Sequence, residues 1–161
     1  MQTPPGPGPG PDPVWQFRHT VVTRAEPAFA WAFWTDVANW AAIDKDVDTV
    51  RLRSGPFAAG AHGITVTAGG SVTDWEVTEV HEPASARIRF PAPGASLEAS
   101  WHFAAGGTGG CSITQEMVLH GPRAEHYRAA VAAGMEAGVP SGMEALATAI
   151  DAAFASDQLA R

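Results

Sequence analysis

Three residues of this chain combine proton-transfer or hydrogen-bonding chemistry with positions that point inward: His19, His62 and Gln115. His19 is in phase with Trp15, Phe17 and Val21, and His62 with Ile64 and Val66. A histidine in an apolar interior can orient a ligand or move a proton near neutral pH. Gln115 does not titrate and acts only through hydrogen bonds. Each residue equally suits a buried polar group satisfied by backbone or water, and both readings stay open.

The elements that must position these residues follow from periodicity. Trp15, Phe17, His19 and Val21 alternate with Gln16, Arg18, Thr20 and Val22, the pattern of a half-buried strand. Glu26-Pro27 ends it and opens a helix whose apolar face is Phe29, Ala30, Phe33, Trp34 and Val37. Asp36 or Asn39 is expected to cap a short second helix through Ile43. Strands are expected at 47–53, 63–67, 72–80, 86–90, 97–103 and 112–120, separated by Gly/Pro-rich turns. Their short connections predict an antiparallel meander. An alanine-rich helix then runs to about residue 155, with a kink or restart expected at 138–141, where Gly138, Pro140 and the capping-box pattern Ser141-Gly-Met-Glu144 coincide. The fold class is α+β, with helices segregated from one sheet.

Composition narrows the partners. The 161 residues suit one domain, expected over 14–156, with a Pro/Gly-rich tail at 1–13 and a short tail at 157–161. A net charge of −7, with nine arginines and one lysine, argues against a nucleic-acid partner. No stretch approaches the ~20 apolar residues of a membrane span, and 1–13 lacks the features of a signal peptide. With the single Cys111, this points to a cytoplasmic protein in a reducing compartment. Neither oligomeric state nor a cofactor is indicated. Asp44-Lys-Asp46-Val-Asp48 starts like a calcium loop, but Thr49 and Gly55 stand where glycine and glutamate are required. The histidines form no HxH or HExxH pair, so no metal site is expected.

Turning the aromatic side of each strand inward places Trp75, Trp101, Phe103, Gln115 and Met117 opposite a helix of mostly Ala, Gly and Met. Small side chains against a sheet leave room for a cavity, and alanine equally permits close packing of helix on sheet; both readings stay open. Trp34, Trp75, Trp101, Phe103, Gln115, Met117, Tyr127 and Met143 are the candidate ligand-binding residues. Trp31 and Trp40 are expected in the core.

With this order of elements, the chain resembles the START-like helix-grip superfamily (SRPBCC), and within it the polyketide cyclase/dehydrase-like group. The resemblance rests on Ala25-Glu-Pro27, Ala30-Trp31, Asp36, Trp40, Gly55-Pro-Phe-Ala-Ala-Gly60, Trp75-Glu-Val-Thr-Glu-Val80 with Pro83, Ile113 to Pro122, and Gly138 to Leu146. It implies a curved antiparallel sheet of six to seven strands around a long C-terminal helix, with two short helices after the first strand. It also implies a cavity for a hydrophobic or aromatic, lipid- or polyketide-like molecule. Three roles are compatible: carrier, sensor or intermediate chaperone; polyketide cyclase or dehydratase in the same cavity; or a protein-interaction module of the chaperone-activator type. The resemblance carries no catalytic signature onto named residues, so His19, His62 and Gln115 remain the catalytic candidates.

Overall fold

The alternation from Trp15 onward becomes a nine-residue strand, β1 (Trp15–Thr23), in a computed structural model that describes residues 12–161. The expected tail at 1–13 lies outside the described residues, apart from Asp12 and Pro13. Two short helices follow, α1 (Pro27–Thr35) and α2 (Ala38–Ile43). Six strands come next: β2 (Val47–Leu52), β3 (His62–Thr67), β4 (Val72–His81), β5 (Ser85–Ala92), β6 (Ala95–Ala105) and β7 (Cys111–His120). The chain closes with α3 (Ala124–Leu159), three residues beyond the expected end of the domain. The sheet order is β1-β7-β6-β5-β4-β3-β2, antiparallel throughout. Each strand from β2 to β6 pairs with its successor, and only the β1–β7 pair joins elements far apart in sequence.

One sheet face carries Trp75, Val77, Ile88, Trp101, Phe103, Ile113, Met117 and Leu119, all buried. The other carries paired charges: Arg18 with Glu116, Arg53 with Asp74, Arg89 with Glu76, and Arg87 with Glu79. These pairs are solvent-exposed, and such pairs contribute at most about 1 kcal/mol each. Their value lies in keeping that face wet and the sheet one-sided.

The helix pair departs from the expected capping. Val37 is the N-cap of α2, and neither Asp36 nor Asn39 caps it through a side chain. Asn39 Nδ2 instead donates to the Phe33 carbonyl at 2.8 Å, and Trp40 Nε1 to the Trp34 carbonyl at 2.7 Å. Carbonyls in the last turn of a helix lack helical partners, so α2 closes the end of α1. The buried side of α1 is Ala30, Trp31 and Trp34, rotated from the expected stripe, with Phe33 half-buried.

Of the kink or restart expected at 138–141, the restart does not occur. α3 is one helix of 36 residues with Pro140 inside it. A mid-helix proline costs about 3 kcal/mol. Burial of Val139, Met143, Leu146, Ala147 and Ile150 on either side of that turn opposes the cost. Past it, Phe154 meets Phe29 edge-on with ring centroids 5.2 Å apart. Asp151 Oδ1 accepts hydrogen bonds from the Thr23 hydroxyl and the Arg24 amide, each at 2.7 Å, and ties α3 to the end of β1. The first half of α3 is different: between Ala124 and Val139 none of its residues is buried. That half still meets β1, where Trp15 Nε1 donates to Glu136 Oε1 at 3.1 Å.

Candidate functional site

The space under the middle of α3 is a cavity of about 340 Å³. Its walls come from four directions. α1 gives Trp34; α2 and its end give Trp40, Ile43 and Asp44; the sheet gives Trp101 and Gln115; α3 gives Gly134, Met135, Gly138, Val139, Gly142, Met143 and Leu146. The volume falls in the range of small-molecule pockets, at the lower end, and the lining is mostly apolar and aromatic, as such pockets are.

The aromatic wall is a connected array. Trp34 lies 4.9 Å from Trp101 and 5.7 Å from Trp40 between ring centroids, with Trp34 and Trp40 nearly parallel at 29°. Trp40 stacks in turn on Trp75 at 5.2 Å and 27°. Trp75 is fixed by its own indole donor, which bonds Thr65 Oγ1 at 3.1 Å. Held rings of this kind give a ligand a flat surface at little entropic cost.

Polar groups on the lining are few. Gln115 Nε2 donates to Met117 Sδ at 3.2 Å, which leaves the amide oxygen to accept from a ligand. Asp44 lies where the cavity meets an outer groove of Lys45, Asp46, Ala137, Ser141 and Ala145, and it lines both. Its Oδ1 accepts from the Asp46 amide at 2.9 Å. No group of three or more His, Cys, Asp or Glu placed to hold a metal exists among the described residues.

The residues expected at the site separate clearly. Trp34, Trp101, Gln115 and Met143 all line the cavity. Trp75 stands behind Trp40, outside the lining. Phe103 and Met117 are buried in the core, Phe103 against Trp31 at 5.4 Å. Tyr127 is remote, its hydroxyl donating to the Pro93 carbonyl at 2.9 Å. His19 does face inward and is the register partner of Gln115, but it is not on the cavity. His62 is corrected outright. It is exposed and pairs with Glu76 on the charged face, because Gly63 and Thr65, not His62 and Ile64, share the side of Trp75.

Trp40, expected only as core, lines the cavity with Ile43, Asp44, Met135, Val139, Leu146 and the three glycines. The spacing Gly134, Gly138, Gly142 was the available signal, since three glycines on one side of a helix cost stability unless that side must stay bare. At none of the three would an added Cβ find an atom within 4 Å.

A helix over a one-sided antiparallel sheet, with a cavity between, agrees with sequence comparison. Residues 14–151 match the family described as polyketide cyclase / dehydrase and lipid transport. The chain belongs to this family. No curated protein sequence matches it. Among solved structures it superposes on truncated norcoclaurine synthase from Thalictrum flavum with a TM-score of 0.68 at 11% identity, covering 88% of this chain and 97% of that one. The protein TTHA0849 from Thermus thermophilus gives 0.67 at 19% identity, with 86% and 98% covered. The di-domain ARO/CYC BexL of the BE-7585A biosynthetic pathway gives 0.64 at 18%, covering 86% of this chain and 50% of that one. At these identities the likeness establishes the helix-grip fold of the family and nothing about ligands. No helix among the described residues is long and apolar enough to cross a membrane.

Proposed function

We propose that this family member is a binding protein for a hydrophobic aromatic small molecule, held under α3 and carried, sensed or protected there without chemical change. The observation that carries the reading is the lining itself: three tryptophans and an aliphatic helix side, with Asp44 and Gln115 as its polar side chains. Dehydration or cyclisation needs a proton donor and acceptor at the reacting carbons. The candidate histidines, His19 and His62, are not on the lining, and Asp44 stands at the mouth. The family description and the fold shared with an ARO/CYC protein keep a cyclase as the second reading, with Asp44 as its base and Gln115 orienting a carbonyl or enol.

The deciding experiment is native mass spectrometry of protein from its own host, followed by titration with polycyclic aromatics read by tryptophan emission. A binding protein should hold one molecule per chain and release it unchanged after prolonged incubation. Recovery of a dehydrated or cyclised product that disappears in Asp44→Asn would replace this reading with the cyclase. A chain that takes up none of these compounds refutes both.

A further inference from the structure

Charge on the cavity lining points beyond a generic apolar ligand. We infer that the cavity selects flat aromatic molecules carrying a protonated amine, the rings against Trp34, Trp40 and Trp101 and the ammonium at Asp44. This rests on the binding role proposed above and adds the class of ligand.

Three observations converge. First, Asp44 is the charged residue of the lining, and no Arg, Lys or His stands there to receive an anion. Second, three tryptophans line the cavity, and a ligand cation that reaches an indole face is attracted by its quadrupole where an anion is repelled. Third, Gln115 places one N–H on Met117 Sδ, and its amide oxygen is an acceptor that suits a ligand N–H or O–H. The outer groove does not reverse this balance, since Lys45 stands there with both Asp44 and Asp46. A carboxylate or phosphate in the cavity would lose its hydration with no cation to replace it.

The geometry also favours a flat ring system over a flexible chain. Trp34 and Trp40 are held nearly parallel, Trp40 by its bond to the Trp34 carbonyl, so the aromatic surface is set before any ligand arrives. Asp44 is likewise preset, because one carboxylate oxygen is anchored by the Asp46 amide while the other stays free. An amine at the mouth therefore meets a fixed carboxylate, with its ring already inside.

The test uses the full chain and three probes of one shape: the aminomethyl, hydroxymethyl and carboxylate derivatives of anthracene, titrated near pH 7 by tryptophan quenching and calorimetry. The ammonium should bind roughly tenfold tighter than the alcohol, the combined effect of a cation–π contact and the exposed Asp44 carboxylate. The carboxylate should bind weakest. Asp44→Asn keeps the acceptor for the Asp46 amide; it should bring the ammonium down to the alcohol while moving the alcohol less than about twofold. A carboxylate that binds as tightly as the ammonium, or an ammonium preference unchanged in Asp44→Asn, overturns the inference and leaves the binding role standing. Failure of all three probes to bind removes the binding role and the inference with it.

Discussion

Gly63 and Trp75 claim the same space: a Cβ built on Gly63 would stand 2.1 Å from the Cζ2 atom of the Trp75 indole. The two are register partners on β3 and β4, and the ring lies across the bare backbone of its neighbour. There it reaches the Thr65 hydroxyl on one side and stacks on Trp40 on the other. The absence of one side chain thus sets the back of the aromatic wall.

Gly63→Ala must therefore displace the indole. The expected cost is about 1–3 kcal/mol, that of overpacking a filled core, read from urea unfolding. Near-ultraviolet circular dichroism should also lose the signal of the stacked Trp40–Trp75 pair. A substitution that left both unchanged would mean that Trp75 has another resting place.

Gly138 gives the opposite result. Nothing lies within 4 Å of its added Cβ, so Gly138→Ala should raise stability by about 1 kcal/mol through helix propensity. Gly138→Leu should fold equally well and fill the cavity, weakening the hydroxymethyl anthracene probe by at least about tenfold. Thermal melting and the same titration check the two halves separately.

Trp34 touches five other rings, those of Trp31, Trp40, Phe57, Trp101 and Phe103. Trp34→Ala should cost about 3–5 kcal/mol. Trp40 is only half-buried, so Trp40→Ala should cost visibly less while impairing binding as much. Denaturant midpoints and probe affinities for the two variants distinguish a core ring from a wall ring.

Asp151 holds β1 to α3 by accepting from Thr23 and Arg24 together. Asp151→Ala should cost about 2 kcal/mol, since a charge-assisted bond is lost and its donors are stranded. Thr23→Val should cost less, and the double variant less than the sum, measured as a double-mutant cycle.

Cys111 is 2% exposed, and burial pushes its thiol above the usual range. Iodoacetamide should leave the native chain unlabelled near neutral pH and label it only after unfolding. The sign of the pH effect follows: the folded thiol keeps its proton longer than the unfolded one. This contribution to stability is complete below the unfolded thiol's pKa and is lost as pH rises through the folded one. Rapid labelling of the native chain would contradict the burial.

Strand phase was legible wherever a strand carried its large residues on one side. Trp101, Phe103, Ile113 and Met117 could be turned inward from alternation alone. In β3 the same rule fails, because Ile64 and Val66 look like the core side while the positions that share the side of Trp75 are a glycine and threonines. That choice depends on a tryptophan in the next strand, which alternation within β3 cannot register. The cavity followed from small residues on α3, but not its mouth. Asp44 lies past the end of a six-residue helix, where only the packing of α2 against α3 brings it to the site.

The glycine line along α3 has a consequence for how such a protein changes over generations. Sheet, tryptophans and the Asp151 tie all lie elsewhere, so the dimensions of the aperture can be altered without repacking the core. A single-base change turns any glycine codon into one for alanine or valine, and at 134, 138 or 142 the new atoms would enter empty space. Successive substitutions there would step the admitted molecule down in size by a methyl or two at a time, on an unchanged scaffold.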